Sequence, residues 1–189
     1  MSTVVSTRPM TTEEMLGLPD DGVDRELIRG QLWEKPMTRR NRWHSRVENR
    51  IGTVLEVWLE TQPEPRGQIV SGEAGFRLSR NPDSTVGIDV AYVSAEVATI
   101  DPEAIYFEGP PVLAVEILSP SDQQEEIDAK VGLYLETGVA EVWVVHPRFR
   151  TITVYRPDAD PTMFSGSQEI TAEPHLPGFR VSLTRLFGV

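Results

Sequence analysis

The chain has 189 residues, of which 39% are apolar, and a net charge of −11; this length and composition predict one globular domain with a full core. The absence of cysteine excludes disulfides and cysteine-based zinc or redox sites. The acidic balance counts against loose, non-specific binding to nucleic acid, although clustered arginines could still form a separate contact surface. The sequence shows neither a signal-peptide pattern nor an apolar stretch long enough to span a membrane, so we expect a cytoplasmic protein without a membrane partner.

The N-terminal residues predict a leader followed by one domain. Residues 1–10 are expected to be a disordered leader, and residues 11–189 a single domain without internal repeats. Thr11 and Glu14 have the spacing of a capping box, which predicts a short helix that ends near Gly17.

A hairpin and a long helix are predicted next. Residues 25–34 form two β-rich runs around Arg29 and Gly30, which predicts a β-hairpin with its turn at these two residues. An apolar stripe with helical spacing then predicts a helix from about Asn41 to Leu59.

Arginines concentrate at the start of this helix, at Arg39, Arg40, Arg42, Arg46 and Arg50. On a helix the last three form a stripe beside the apolar stripe. Such a stripe is either a solvated face that flanks the core or a strip that contacts phosphates. If it contacts phosphates, the candidates are Arg39, Arg42 and Arg46.

The remainder of the chain alternates strands and one helix. Strands are predicted at 68–78, 87–93, 112–118, 141–146, 151–155 and 179–183, with a helix that ends at Gly138 and an exposed loop at 157–167. The central order of helix, three strands, helix and strand (αβββαβ) predicts an α/β fold with a mixed central sheet flanked by helices. Tryptophans at apolar positions are expected in the core, namely Trp33, Trp43, Trp58 and Trp143.

Two carboxylates interrupt runs that otherwise indicate buried strands. Asp89 lies within Gly87–Val93, and Glu116 lies within Val112–Leu118. A buried charge is costly, so such a group shifts its pKa, pairs with a cation or binds a metal. The two residues are therefore candidates for a functional site, although strand-end carboxylates also cap loops or pair with buried arginine.

Lys130 is the candidate cation for these carboxylates. Only two of the eighteen basic residues are lysine, Lys35 and Lys130, and a compact ammonium suits tasks that a guanidinium does not; chance is the alternative. If Ser121 or Asp122 is the N-cap and the helix folds back over the sheet, the strand and the helix each span roughly 13 Å. Lys130 would then lie level with Glu116.

The motifs together resemble the Uma-two family of restriction endonuclease-like proteins, within the PD-(D/E)XK nuclease superfamily. The resemblance rests on Glu26–Leu32, His44, Ile88–Val90, Gly109–Asp122, Lys130, Tyr134, Gly138–Val139 and Val142–Trp143. Two positions depart from the superfamily pattern, because Ile88 replaces a proline and Leu118 replaces the lysine of Glu-x-Lys. Lys130 is positioned to stand in for that lysine.

The resemblance implies a restriction-endonuclease-like core and a metal-dependent endonuclease that leaves a 5′-phosphate and a 3′-hydroxyl. Asp89 and Glu116 would bind Mg²⁺, with Mn²⁺ as a substitute and the Ile117 carbonyl as a further ligand. Lys130 would orient the attacking water or stabilise the transition state. DNA is the expected substrate, with RNA as an alternative, and cutting both strands of a duplex favours a homodimer.

Glu26 and His44 are second-tier candidates in the same family comparison. Glu26 would be an outer metal ligand, or else would pair with a neighbouring arginine of the hairpin. His44 would contact phosphate or orient a carboxylate, or else would pair with Glu48 one turn later on the helix. A different functional class is also open, in which a nuclease-fold module binds nucleic acid or protein without cutting.

Overall fold

The computed structural model describes residues 8–36, 41–101, 103–120 and 122–188. The helices are α1 Thr12–Leu16, α2 Arg42–Leu59, α3 Ala95–Ala98, α4 Gln124–Thr137 and α5 Leu183–Phe187. The strands are β1 Val23–Ile28, β2 Gln31–Pro36, β3 Gln68–Ser79, β4 Ser84–Val93, β5 Phe107–Glu108, β6 Leu113–Ile117, β7 Glu141–His146, β8 Thr151–Tyr155, β9 Thr162–Phe164, β10 Glu169–Thr171 and β11 Arg180–Ser182.

The described strands form one large mixed sheet and a small second sheet. The order in the large sheet is β2-β1-β4-β6-β7-β8-β9, with β3 on β4 and β5 on β3, while β10 and β11 pair separately. Most neighbours are antiparallel, but β6 and β7 are parallel and are joined through α4, as a strand-helix-strand crossover requires. The predicted mixed sheet flanked by helices is confirmed.

Each long helix covers its own hydrophobic core. Residues Val47, Ile51 and Leu55 of α2 pack into one cluster together with β6, β7, β8 and the C-terminal segment. Ile127 and Val131 of α4 belong to a second cluster that includes parts of β3, β4 and β7. The continuous apolar runs of the central strands are therefore explained, because the sheet is buried on both sides.

The N-terminal predictions agree with the structure. Thr11 and Glu14 form the reciprocal capping box of α1, and Gly17 is its C-cap. β1 and β2 pair antiparallel around a turn, in which Arg29 and Gly30 have φ values of 51° and 73°. Positive φ at both central residues is the geometry of the turn that matches strand twist. Residues 1–7 of the predicted leader lie outside the described residues.

Three local predictions need correction. α4 has Gln123 as its N-cap without a side-chain cap hydrogen bond; Asp122 instead accepts a 2.7 Å hydrogen bond from the Ser119 N–H, and Ser121 lies outside the described residues. The predicted loop at 157–167 contains β9, which pairs with β8. The predicted strand at 179–183 is shorter, pairs with β10 and runs into α5.

The tryptophan prediction is wrong at one position. Trp58 and Trp143 are buried and Trp33 packs against a core cluster, but the Trp43 side chain is 54% exposed. Trp43 precedes His44, which is 1% exposed and begins the buried face of α2, so Trp43 lies beside that face at the border of the apolar stripe. No helix within the described ranges has the length and apolarity needed to cross a bilayer.

Candidate active site

The candidate site lies where the central sheet forks. One edge of β4 is paired with β3 along its length, whereas the other edge pairs with β1 at Thr85 and with β6 from Val90 to Tyr92. Between these two regions β1 and β6 diverge. Continuing the β4–β6 register by one residue places Asp89 opposite Glu116, at the point where the backbone ladder ends.

Side chains replace backbone partners inside the fork. The Gly87 N–H donates a 2.9 Å hydrogen bond to Glu26 Oε1, and the Ile117 N–H donates a 2.7 Å hydrogen bond to Asp89 Oδ2. The Gly87 carbonyl accepts a 3.1 Å hydrogen bond from Lys130 Nζ. Buried backbone groups require partners, so these polar side chains stabilise the fork as well as forming a site.

Lys130 connects the two sides of the fork. Its Nζ lies 3.0 Å from Glu26 Oε1 and 3.2 Å from Glu116 Oε1, in addition to the Gly87 carbonyl, and the residue is buried. Burial lowers the pKa of Lys130, but the charges of Glu116 and Glu26 outweigh it and hold the pKa well above its usual value. Lys130 is therefore an ammonium at neutral pH, and its three N–H donors face three acceptors.

Glu116 is the carboxylate with the most perturbed environment. Burial is the largest effect and raises its pKa, the Lys130 charge lowers it and the nearby Asp89 charge raises it, and the net result is a pKa of about 7 instead of the usual 4.5. The Tyr134 hydroxyl donates a hydrogen bond to Glu116 Oε1. Burial and a neighbouring carboxylate both favour the protonated form of such a group. A cation bound beside it would favour the charged form instead.

Asp89 is oriented by α2 rather than by α4. His44 Nε2 lies 3.2 Å from each Asp89 carboxylate oxygen, and His44 itself is 1% exposed. Its Nδ1 lies 3.5 Å from Glu48 Oε2, while Glu48 Oε1 accepts a 2.8 Å hydrogen bond from the Gly72 N–H. His44 therefore contacts the Asp89 carboxylate, and its side chain is buried rather than facing solvent.

A cavity of about 670 Å³ opens above the fork. Its lining includes eight carboxylate residues: Asp24, Glu26, Glu34, Glu73, Asp89, Glu116, Asp122 and Glu126. Two lysines, Lys35 and Lys130, line it as well, so the lining is acidic on balance, and a concave surface that is mainly acidic concentrates cations. The cavity therefore favours a cation and would repel a phosphate that arrives without one.

The oxygen ligands available in the fork fit a magnesium ion better than a metal that needs three or more protein ligands. Within the described ranges, no three His, Cys, Asp or Glu side chains converge in an arrangement ready to hold a metal. Magnesium is usually bound by one or two carboxylates and keeps several waters. Asp89 and Glu116 supply such a pair, and Ile117 lines the same cavity.

The remaining candidates have mixed placements. Glu26 pairs with Lys130 rather than with Arg25 or Arg29, which bind other acids. Arg42 and Arg46 are exposed at the start of α2, and Arg39 lies outside the described residues. Two groups were given no role from the sequence. Tyr134 was part of the family resemblance, but its position indicated only a core face, and Glu73 lines the cavity from a bulge of β3.

Comparisons with known proteins agree with this architecture. The family model of Uma2, described as "Putative restriction endonuclease", matches residues 12–184. A crystal structure of a "putative nuclease belonging to DUF820" from Anabaena variabilis superimposes with a TM-score of 0.80 at 22% identity, covering 95% of this chain and 98% of that chain. No curated protein matches the sequence. The fold is that of a restriction-endonuclease-like nuclease, and the chain belongs to the Uma2 family.

Proposed function

We propose that the protein is a metal-dependent endonuclease that hydrolyses phosphodiester bonds in DNA. The observation that carries the proposal is the convergence of Asp89, Glu116 and the Lys130 ammonium at the fork, with 3.2 Å between Lys130 Nζ and Glu116 Oε1. Family membership supports nuclease chemistry at a general level. The acidic lining of the cavity supports the binding of a divalent cation, which would offset the negative charge and allow a phosphate to bind.

Asp89 and Glu116 would hold Mg²⁺, or Mn²⁺ in its place, with the Ile117 carbonyl as a further ligand. When bound, the ion would supply positive charge that stabilises the negative charge developing on the phosphate. His44 holds the Asp89 carboxylate in its orientation. Tyr134 does the same for Glu116 by donating a hydrogen bond to its Oε1.

Lys130 would orient the attacking water or stabilise the phosphate in the transition state. In the structure its donors face Glu26, Gly87 and Glu116, so one of these contacts must be released for Lys130 to act on the substrate. The Glu116 contact is the longest of the three at 3.2 Å. Glu26 and Gly87 would then keep the ammonium at the fork while its third donor serves the reaction.

Water attack on phosphorus would break the bond to the 3′ oxygen, leaving a 5′-phosphate and a 3′-hydroxyl. Cutting both strands of a duplex is simplest with two symmetric sites, so we propose a homodimer as the active form. RNA is the alternative substrate, because none of the contacts at the fork distinguishes a deoxyribose from a ribose.

A second candidate is a module that binds nucleic acid or protein without cutting. The observation in its favour is that Asp89 and Glu116 already have protein partners at the fork: His44 and the Ile117 N–H for Asp89, Tyr134 and Lys130 for Glu116. Buried polar groups that have partners can stabilise a fold without catalytic use; within this network, the buried His44 Nδ1 makes no hydrogen bond.

Plasmid cleavage tests the enzymatic proposal. Supercoiled DNA incubated with the protein and Mg²⁺ or Mn²⁺ should become nicked or linear, and EDTA should prevent this. Lys130→Met should lower the rate at least about 100-fold, the usual size of effect when a group that stabilises a transition state is lost. Arg66→Met, which removes an exposed charge paired with Glu64, should cleave at the parent rate.

Metal binding is tested separately by thermal unfolding, because a buried substitution could impair folding. Mn²⁺ should raise the melting temperature of the parent by several degrees, and Asp89→Asn should abolish that shift. If the parent cleaves no form of DNA or RNA and shows no shift with Mn²⁺, the non-cleaving module is the better description.

A further inference from the structure

A second groove, which we call the aromatic groove, adjoins the acidic cavity. It has a volume of about 890 Å³ and is lined by Trp43 at the start of α2 and by the β7–β8 turn from His146 to Arg150. Ser119, Pro120 and Asp122 line both the groove and the cavity. A polymer bound at the fork could therefore continue into the groove without a break.

Two large aromatic side chains are exposed in this groove. Trp43 is 54% exposed and Phe149 is 69% exposed. Each ring contacts one neighbouring side chain: the Arg42 guanidinium lies over the Trp43 ring, 4.7 Å from its centroid, and the His146 and Phe149 ring centroids are 4.4 Å apart. Exposed aromatic rings grouped beside a functional site indicate a binding surface rather than a packing fault.

The arginines around the groove differ from most others in the chain. Arg42, Arg148 and Arg150 are exposed, and within the described residues none of them forms an ion pair. Seven other arginines do pair with carboxylates, namely Arg8, Arg25, Arg29, Arg66, Arg77, Arg80 and Arg156. Arg46, Arg50, Arg180 and Arg185 are likewise without an ion pair within the described residues. What distinguishes the three around the groove is their place, because Arg148 and Arg150 line the groove and Arg42 contacts Trp43.

We propose that the aromatic groove binds an unpaired DNA strand that continues from the scissile phosphate, with bases stacking on Trp43 and Phe149 and phosphates contacting Arg42, Arg148 and Arg150. The inference rests on the proposed function and adds that part of the DNA substrate is single-stranded. Base pairs within a duplex already stack on one another and expose only their edges in the grooves. Partly exposed aromatic rings with arginines beside them fit single-stranded DNA instead.

Fluorescence anisotropy with a labelled DNA oligonucleotide tests the groove without requiring cleavage. The probes are one oligonucleotide in single-stranded form and the same sequence in a duplex, both measured in EDTA. Trp43→Ala and Phe149→Ala should each weaken single-strand binding by about 5- to 150-fold, which corresponds to the 1–3 kcal/mol of one base stacked on an aromatic ring. Trp43→Phe, which keeps a ring, should recover most of the affinity.

Matched controls separate stacking from general surface effects. Met163→Ala removes an exposed apolar side chain on β9 and should bind like the parent. Arg148→Ala should reduce the slope of log affinity against log salt by about 0.7, the expected value for one phosphate contact on a single strand. Arg80→Ala, which removes an arginine paired with Glu108, should leave that slope unchanged.

The outcomes for the groove and for the enzyme are distinguishable. Parent-like binding by both aromatic variants, equal losses on single-stranded and duplex probes, or tighter binding of a matched RNA strand would each overturn the groove proposal, even if the parent cleaves plasmid. Selective loss of single-strand binding would support it, even if Mg²⁺ produces no cleavage and the enzymatic proposal fails.

Discussion

The pKa of Glu116 gives the protein an unusual dependence of stability on pH. The folded protein raises this pKa from 4.5 to about 7, whereas the unfolded chain releases the proton near the ordinary value. Between these values the folded state binds more protons than the unfolded state, so the free energy of unfolding falls as pH rises. A difference of about 2.5 pKa units, at about 1.4 kcal/mol each, predicts a total loss of about 3.5 kcal/mol.

The contribution of Glu116 to the pH dependence of stability can be separated from that of the other titrating groups by comparing variants. The stabilisation from Lys130, whose folded pKa is raised, is fully present below the unfolded pKa and is constant across this window. Glu116→Gln mimics the neutral carboxyl group and should remove the slope due to residue 116. Glu56→Gln, at an exposed position of α2, should follow the parent.

The assay is urea unfolding from pH 4.5 to 8 in EDTA. The parent and Glu116→Gln should differ in their total change across this range by about 3 kcal/mol. The reasoning is refuted if Glu116→Gln loses stability with rising pH as steeply as the parent does, since the slope would then originate elsewhere. Adding Mn²⁺ at pH 8 should restore stability to the parent but not to the variant, because a bound cation compensates the second carboxylate charge.

Two further predictions concern a neighbour of this group and a turn. Tyr134→Phe removes a hydrogen bond that favours the charged form of Glu116, so the same urea series should show its stability loss ending at a higher pH than in the parent; a shift to lower pH would contradict this. Gly30→Ala should cost about 1–3 kcal/mol of unfolding free energy, because Gly30 has a φ of 73° and a Cβ there would lie 2.3 Å from that of Pro9. Gly52→Ala, on α2 with open space around it, should instead stabilise the protein by up to about 1 kcal/mol, and equal effects at the two glycines would refute the steric argument.

The main elements of the fold could be predicted from local sequence patterns. The capping box at Thr11, the amphipathic stripe of α2 and the left-handed C-cap at Gly138 each depend on residues a few positions apart. The N-cap of α4 was misplaced because Asp122 bonds to Ser119, and sequence spacing does not show which of two local partners an aspartate selects. β9 and β10 were missed because three-residue strands depend on their partners more than on their own propensity.

The candidate site was predictable as a set of residues but not as a network. A carboxylate within an apolar strand is visible in the sequence, and a helix that folds back explains how Lys130 reaches Glu116. The contacts of Glu26 with Lys130 and of His44 with Asp89 join segments distant in the chain. The exposure of Trp43 was not predictable for a related reason, since helical periodicity does not show which residue at the border of the apolar stripe is covered.

The sequence by itself determined the order of the central strands and the long helices, the two acidic strand positions and the single lysine of the helix that follows Glu116, because periodicity, capping and composition are local properties. Only the tertiary structure decided that one edge of β4 pairs with β1 before Asp89 and with β6 after it. The ladder ends there and leaves backbone groups that side chains must satisfy. That fork turns separate charged residues into one buried cluster and raises the pKa of Glu116, because the charges act on one another only when the fold brings them within a few ångströms.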